Sequence, residues 1–356
     1  MTDDPKPPRP PLLKSETRQT NWRRTNLPKY QAHLAVQRAL MSGALEKQGC
    51  EVCGLYMDIA GDEARADAQR VAEELGVSLV VADVAAAQEE FVRRPFVDAY
   101  LRGETPNPCI LCNPAVKFKT LLDYADTIGA QTVATGHYIR AENGMILKGR
   151  AENDQSYMLC RLRREQAARL RMPLGPYNKE EVRALAERFD LPVAHKAASM
   201  EICFIPDKDY IGWISARGVP LPPAGDFVFH GAVVGRHEGI HRWTVGQRLP
   251  GLFNERKLYV SRIVPERNEV EVALWEELFR TELAARDMNW LIDPPTEPIR
   301  ASVKVRHTKW ECPSCTVYPA EDGVRIVCDE AVRAPAAGQS AVLYDGERLL
   351  GGGFIV

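Results

Sequence analysis

The chain has no apolar run of about eighteen residues or more, the length that a membrane-spanning helix needs. It also lacks a charged start followed by an apolar stretch and a small-residue cleavage site, which argues against a secretory signal. Its nine cysteines are odd in number and spread over 356 residues, unlike the disulfide framework of a small secreted protein. The sequence therefore predicts a cytoplasmic protein with reduced thiols and no membrane partner.

A strong excess of either charge is also missing, since the formal net charge is -2. Binding of a nucleic acid would therefore depend on local basic patches. An arginine-dense stretch spans residues 161–171, and a second basic group spans residues 300–309. A solvated helix or strand face explains most such runs, but two of them in a nearly neutral protein modestly favour phosphate contacts.

The N-terminal half shows a regular alternation of strand and helix patterns. Strands are predicted at 51–57, 77–84 and 131–135, and helices at 62–75, at 86–102 with a bend near Pro95, and from about Pro114 to 128. A further helix is predicted to begin at Asn178, with Glu181 completing a capping box. This alternation indicates a parallel, doubly wound α/β sheet, in which ligands bind beyond the carboxyl ends of the strands. Gly136 and His137 follow one such end.

The remainder of the chain contains short alternating stretches separated by turns, which indicates β-sheet domains. We predict four segments: a disordered or aberrant tail at 1–43, a nucleotide-binding and catalytic domain at 44–200, a central β domain at 201–280, and a C-terminal β barrel at 281–356. The last boundary is drawn near a proline cluster at 293–298.

Three cysteines are the candidates for specific chemistry. Cys109 and Cys112 lie in the stretch Thr105-Pro-Asn-Pro-Cys-Ile-Leu-Cys-Asn113, whose prolines stiffen the loop. A Cys-x-x-Cys pair can be a redox couple, half of a metal site, or two buried small side chains. Cys203, between Ile202 and Phe204, taken alone is more typical of a core residue.

A series of ordered motifs, taken together, resembles the tRNA-specific 2-thiouridylase family, MnmA. The motifs are Thr105 to Asn113, Lys117-Phe-Lys119, Ala134-Thr-Gly-His-Tyr138, Asp154-Gln-Ser-Tyr157, Ile202-Cys-Phe-Ile205, Thr244-Val-Gly-Gln-Arg248 and Pro335-Ala-Ala-Gly-Gln-Ser-Ala-Val342. The resemblance extends from about Leu45 to the C-terminus. It implies an adenine-nucleotide α-hydrolase-like N-terminal domain, a small central β domain and a C-terminal β barrel.

The resemblance also implies an activity. In this family ATP, with Mg²⁺, adenylates the C2 oxygen of the wobble uridine (U34) of tRNA, and sulfur from a cysteine persulfide then displaces AMP. By resemblance Cys112 is the nucleophile and Cys203 carries the persulfide, which a sulfur donor protein or relay supplies. Cys112 helps to deliver this sulfur either by attacking the persulfide, which releases hydrosulfide and forms a transient disulfide, or by sharing a cluster with Cys203. Met57 and Gly136 match ATP contacts. The positions that match contacts with tRNA or its target base are Asn107, Pro108, Cys109, His137, Asn153, Asp154, Gln155, Arg306, His307 and Gln339.

The chain departs from the family pattern in two places. Many members carry Asp where this chain has Cys109, so we hypothesise that Cys109, Cys112 and Cys203 hold an iron–sulfur cluster. The phosphate-binding loop Ser-Gly-Gly-x-Asp-Ser is missing, because Met41-Ser-Gly43 runs directly into Ala44. Either the ATP site is defective, which would leave a non-catalytic tRNA-binding or sulfur-carrier protein, or the start of the sequence is a faulty gene model. The abrupt loss beside intact downstream motifs favours the faulty start.

Overall fold

A computed structural model describes residues 51–59, 62–188, 202–205, 207–251, 256–307 and 312–356. The expected tail at 1–43 and the altered phosphate loop at Met41-Ser-Gly43 lie outside the described residues. Among the described helices, none is both long enough and apolar enough to cross a membrane.

The N-terminal part has the expected parallel α/β character. Its first unit is β1 (Cys53–Asp58), α1 (Asp62–Leu75) and β2 (Ser78–Asp83), with the two strands paired in parallel. Gly76 ends α1 with a φ of +66°, a left-handed conformation that glycine adopts without strain. A second parallel pair joins β3 (Val133–Ala134) to β6 (Leu170–Arg171). Within the described residues these two pairs are separate sheets, whereas the sequence predicts one sheet.

Two helical runs between these pairs each contain a π-helical turn. The first run is α2 (Ala85–Gln88), a π turn at Glu89–Arg93 and α3 (Arg94–Leu101). The second is α4 (Pro108–Cys112), a π turn at Asn113–Lys117 and α5 (Phe118–Thr127). Pro95 lies just after the first π turn, and Pro114 lies within the second. Because proline has no N–H, it cannot make the regular helical hydrogen bond, and this favours a π turn. The predicted bend near Pro95 falls here.

The second helical run begins six residues earlier than the predicted start at Pro114. Pro108 occupies the first turn of α4, and the Asn107 side chain accepts a hydrogen bond from the backbone N–H of Cys109 at 3.2 Å. Proline and asparagine are favourable at these two positions of a helix start. The stiff cysteine loop is therefore itself the start of a helix.

The rest of the N-terminal half consists of short elements. They are β4 (Ile139–Glu142), β5 (Met145–Lys148), a 3₁₀ turn at Ser156–Leu159, α6 (Arg164–Ala168), α7 (Lys179–Arg188) and α8 (Tyr210–Ser215). The predicted capping box before α7 is confirmed, because Asn178 and Glu181 exchange two side chain–backbone hydrogen bonds of 2.8 Å.

Two β units follow. The central one contains β7 (Gly225–Phe229), β8 (Ala232–His237), β9 (Tyr259–Val264) and β10 (Glu269–Ala273) in the order β8-β7-β10-β9. The C-terminal one contains β11 (Phe279–Trp290), β12 (Ile299–Lys304), β13 (Ser314–Ala320), β14 (Gly323–Arg333), β15 (Ser340–Asp345) and β16 (Arg348–Ile355). Its strands close into a barrel because β11 pairs with both β14 and β16. The predicted C-terminal barrel is confirmed, while the exact domain boundaries stay a prediction.

The barrel is joined to the N-terminal half through one of its own strands. The β4–β5 hairpin extends the barrel sheet, since Leu147 pairs with Arg348 of β16. A second connection is made by Ser340, the first residue of β15. The Tyr157 hydroxyl donates to the Ser340 carbonyl at 3.0 Å and accepts from the Ser340 N–H at 3.2 Å, and both residues are buried. These contacts join the barrel to the β4–β5 hairpin and to the 3₁₀ turn that contains Tyr157.

Candidate functional site

Cys112 and Cys203 lie in the same apolar cluster. Cys112, at the end of α4, is 7% exposed, and Cys203 is half-buried. Both pack with residues of α3 and with Phe204 and Ile205, and both are free thiols in this structure. Burial raises the pKa of Cys203 to about 12; nearby Cys109 and Cys112 reinforce the rise, and Lys117 and Arg93 oppose it. The fold thus unites thiols that are far apart in the sequence.

Cys109 lies one helical turn before Cys112 and is exposed at the surface. Desolvation by the surrounding protein raises the pKa of the Cys109 thiol. The positive charge of Lys117 opposes this rise, and Cys112 reinforces it. Among the described residues, no group of three or more His, Cys, Asp or Glu side chains is arranged to hold a metal ion. The iron–sulfur hypothesis for Cys109, Cys112 and Cys203 stays a prediction.

Two cations near these thiols were not assigned from the sequence. Arg93 and Lys117 are the last residues of the two π turns, and the charge of each opposes the rise in the pKa of Cys203. The Arg93 guanidinium also lies over the Phe204 ring, 5.7 Å from its centre. Lys117 belongs to a motif used for the resemblance, so a signal existed for it. Arg93 offers no comparable signal, because its proximity to Cys203 arises only in the folded chain.

The two predicted nucleotide contacts lie at strand ends. Met57 is near the carboxyl end of β1 and packs against the cluster that contains Cys112 and Cys203. Gly136 is two residues beyond β3. Parallel α/β proteins bind their ligands at such ends, so the described part of the chain fits a nucleotide in this respect.

The His137 side chain is positioned by Thr135 and Phe118. Its Nδ1 lies 2.7 Å from the Thr135 hydroxyl, and its ring stacks on Phe118 with centres 5.7 Å apart. Burial, followed by the charge of Lys117, lowers the pKa of His137 well below its ordinary value. The imidazole is therefore neutral at pH 7 and binds by hydrogen bonding rather than by charge.

This burial has a consequence for stability. As pH falls below about 6.5, the unfolded chain takes up the proton before folded His137 does, so the free energy of unfolding decreases by about 1.4 kcal/mol per pH unit for this one group. Above that pH the contribution is fully present. We expect His137→Gln to flatten, but not abolish, the fall in stability between pH 7 and 5, since burial also lowers the pKa of His237 and His241. Urea unfolding at several pH values measures the slope, and an unchanged slope contradicts the assignment.

The cysteine loop is fastened to the barrel. Thr105 donates its N–H to the Ala337 carbonyl at 2.8 Å, and Gln339 Nε2 donates to the Thr105 carbonyl at 2.6 Å. On the other side, Asn107 Nδ2 lies 3.3 Å from Met158 Sδ. The fold therefore brings Gln339 beside the segment Asn107-Pro-Cys109, although more than 200 positions separate them in the sequence.

The polar cluster at 153–155 serves local structure. Asp154 is buried and accepts hydrogen bonds from the N–H groups of Gly149 and Ser156, both at 3.0 Å, and from the Ser156 hydroxyl at 2.8 Å. Gln155 Oε1 accepts from the Tyr138 N–H at 2.9 Å. The Asn153 amide, suitably oriented, accepts from the Lys179 N–H at 3.0 Å. Asp154 and Gln155 thus support the segment that carries Gly136 and His137, and their tRNA roles stay predictions.

The last two predicted tRNA contacts lie where the domains meet. Arg306 Nη2 donates to the carbonyls of Val245 in the central unit and Ala334 in the barrel, at 2.5 and 2.8 Å. His307 is exposed, with its ring centre 6.1 Å from that of Tyr157. Arg306 is thus engaged in joining domains, whereas His307 is accessible.

Three family models match the chain. They are described as "tRNA methyl transferase HUP domain" at residues 35–207, "tRNA methyl transferase PRC-barrel domain" at 224–274 and "Aminomethyltransferase beta-barrel domain" at 280–355.

Curated relatives match along nearly the whole chain. A tRNA-specific 2-thiouridylase MnmA of Solibacter usitatus is 40% identical over 352 residues, covering 94% of this chain and 90% of the relative. A protein of the same name from Syntrophotalea carbinolica is 38% identical, with 90% and 96% covered. A third, MnmA 1 of Caldanaerobacter subterraneus, is 39% identical, with 90% and 95% covered. The chain belongs to the tRNA-specific 2-thiouridylase (MnmA) family.

Proposed function

We propose that the chain is a tRNA-uridine 2-sulfurtransferase that thiolates the wobble uridine (U34) of tRNA in an ATP-dependent reaction. The observation that carries the proposal is the packing of Cys112 and Cys203 in one apolar cluster, beside Met57 at the end of β1. A sulfur relay needs two such thiols in proximity. It also needs them reduced, so we assign the reaction to the cytoplasm.

The relay follows from the chemistry of the two sulfurs. A donor protein places a sulfane sulfur on Cys203. The Cys112 thiolate attacks the inner sulfur of this persulfide, a Cys112–Cys203 disulfide forms, and hydrosulfide leaves with the electron pair of the broken S–S bond. Hydrosulfide attacks C2 of the activated uridine, and a thiol reductant then restores both cysteines. Arg93 and Lys117 supply positive charge near the anionic sulfur.

ATP is a substrate in this scheme. With Mg²⁺ present, the C2 oxygen of the uridine attacks the α-phosphorus of ATP and pyrophosphate leaves; when hydrosulfide later attacks C2, the adenylated oxygen leaves as AMP. Met57 and Gly136 are the described residues that we assign to nucleotide binding, and the phosphate loop lies outside the described residues. Neutral His137 is placed to offer a hydrogen bond near Gly136 without adding charge.

We assign tRNA binding to two described surfaces. One is the cysteine loop with Asn107, Pro108 and Cys109, next to Gln339 and His137. The other lies around Asn153 and His307, supported from within by Asp154, Gln155 and Arg306. Exposure of Cys109 and His307 supports these assignments, since both can contact a macromolecule.

The role of Cys109 separates the relay from the iron–sulfur hypothesis. No step above passes through a cluster, because the relay needs only the two thiols of Cys112 and Cys203. We expect Cys109→Ser to retain sulfur transfer within about threefold, because serine keeps the size of this exposed side chain and Cys112 and Cys203 suffice. Iron and labile sulfide are measured in anaerobically reconstituted wild type and variant. Bound iron together with a loss of activity in Cys109→Ser would instead establish the cluster.

The test of the proposed function is direct. Purified protein is incubated with ATP, Mg²⁺, a persulfide donor and substrate tRNA, and 2-thiouridine is measured by mass spectrometry of the digested tRNA. We expect 2-thiouridine that depends on ATP. Persulfide on Cys203 without 2-thiouridine would favour the alternative, a non-catalytic tRNA-binding or sulfur-carrier protein with a defective ATP site.

A further inference from the structure

A buried carboxamide is hydrogen-bonded to the sulfur of Cys112. Gln88, the last residue of α2, is 0% exposed, and its Nε2 lies 3.1 Å from Cys112 Sγ. The two residues are 24 positions apart. Buried glutamines normally bond to backbone groups or to other polar side chains. A sulfur partner is therefore a specific feature of this pair.

The two π turns explain how Gln88 reaches Cys112. Gln88 immediately precedes the π turn Glu89–Arg93, and Cys112 immediately precedes the π turn Asn113–Lys117. A π turn widens the helix and turns the side chains that flank it away from their regular positions. The pairing thus depends on the same two irregularities that end in Arg93 and Lys117.

The hydrogen bonding of Gln88 is poor for a structural role. Its Oε1 is buried and has no hydrogen-bond partner within the described part of the chain. An unsatisfied buried carbonyl oxygen destabilises a fold, whereas an apolar side chain of the same length would fill this space without that penalty. The carboxamide is best explained by what it does to the sulfur.

We propose that Gln88 is a positioning residue for the sulfur relay: its N–H donor holds Cys112 Sγ in the orientation from which it attacks the sulfur on Cys203. This inference rests on the proposed function. An N–H donor leaves the remaining sulfur lone pairs free to react, and it binds the sulfur more strongly once the thiol has lost its proton and become the attacking thiolate. Gln88 itself neither bonds to the transferred sulfur nor exchanges protons with it.

The experiment measures formation of the Cys112–Cys203 disulfide without ATP or tRNA. Diamide oxidises the two thiols, taking up two electrons and two protons, and mass spectrometry of quenched samples follows the bond in a Cys109→Ser background. We expect Gln88→Met and Gln88→Leu to slow disulfide formation about tenfold, the effect of losing a hydrogen bond to a charged group. We also expect their melting temperatures to equal or exceed that of the parent protein, because the unpartnered oxygen is gone.

Asn289→Leu is the matched control. Asn289 is a partly buried carboxamide in β11 of the barrel, and its Nδ2 donates to the backbone carbonyls of Cys160 and Leu162, both at 2.9 Å. We expect this variant to melt at a lower temperature and to form the disulfide at the parent rate. Unchanged rates in both Gln88 variants, or equal slowing in Asn289→Leu, would overturn the proposal. Because the assay uses neither ATP nor tRNA, its outcome is independent of whether the chain makes 2-thiouridine.

Discussion

Replacement of Cys203 by alanine reduces 2-thiouridine formation about a thousandfold or more, as expected when a group that bonds to the reacting atom is removed. Cys112→Ala has a comparable effect, because hydrosulfide is not released without an attacking thiolate. The two variants differ in what they accumulate. Cys112→Ala retains a persulfide on Cys203 after incubation with the sulfur donor, whereas Cys203→Ala retains none there. Intact-mass and peptide analysis after thiol labelling distinguishes them.

Cys53→Ser is the control for these variants. Cys53 is an exposed thiol at the start of β1 whose sulfur contacts the Tyr124 hydroxyl at 3.5 Å, outside the apolar cluster of Cys112. We expect it to keep parental activity, since serine preserves the polar contact. Substantial activity in Cys112→Ala would contradict the assignment of this thiol as the nucleophile, and an equal loss in Cys53→Ser would show that any thiol replacement damages the protein.

Gly338→Ala is expected to reduce the rate of sulfur transfer about a hundredfold, although it lies in the barrel segment and not in the cysteine loop. A Cβ at Gly338 would stand 2.8 Å from Glu104 Cβ and 3.0 Å from the Thr105 backbone nitrogen. The loop that carries Cys109 and Cys112 must therefore shift, and a displacement of about 1 Å at reacting groups is enough for a loss of this size. Single-turnover measurement of 2-thiouridine formation tests this effect.

Gly346→Ala separates the shift of the loop from backbone strain. Gly338 and Gly346 have φ values of +82° and +56°, so alanine is strained at both, at about 1 kcal/mol each. A Cβ at Gly346, however, meets no atom within 4 Å. We expect similar decreases in melting temperature for the two variants and a loss of turnover only for Gly338→Ala. Equal turnover in both would show that the barrel does not position the loop.

Local patterns in the sequence predicted the secondary structure well where short-range forces decide it. Helix α1 has the predicted bounds, 62–75, because its apolar spacing and the terminal glycine act within one segment. The capping box at Asn178 was likewise predictable, since both partners lie within one turn. The predicted start of this helical run at Pro114 is wrong. Pro108 and Pro114 are both suited to a first helical turn, and the helix begins at Pro108, where Asn107 caps it.

The candidate site divides in the same way. The spacing and flanks of Cys109, Cys112 and Cys203 were sufficient to identify sulfur chemistry and, through the resemblance, the family. Nothing local to Gln88 or Arg93 indicates that either faces a cysteine, because each meets its partner only after distant segments pack.

The sequence by itself determined the reactive side chains, the alternation of strands and helices and the family. Only the tertiary structure decided which groups surround the sulfurs and that the barrel fastens the cysteine loop through Ala337 and Gln339. The physical reason is that a motif or a helix start depends on interactions among a few neighbouring residues. The environment of a thiol is instead set by burial, charge and hydrogen bonds from residues tens to hundreds of positions away.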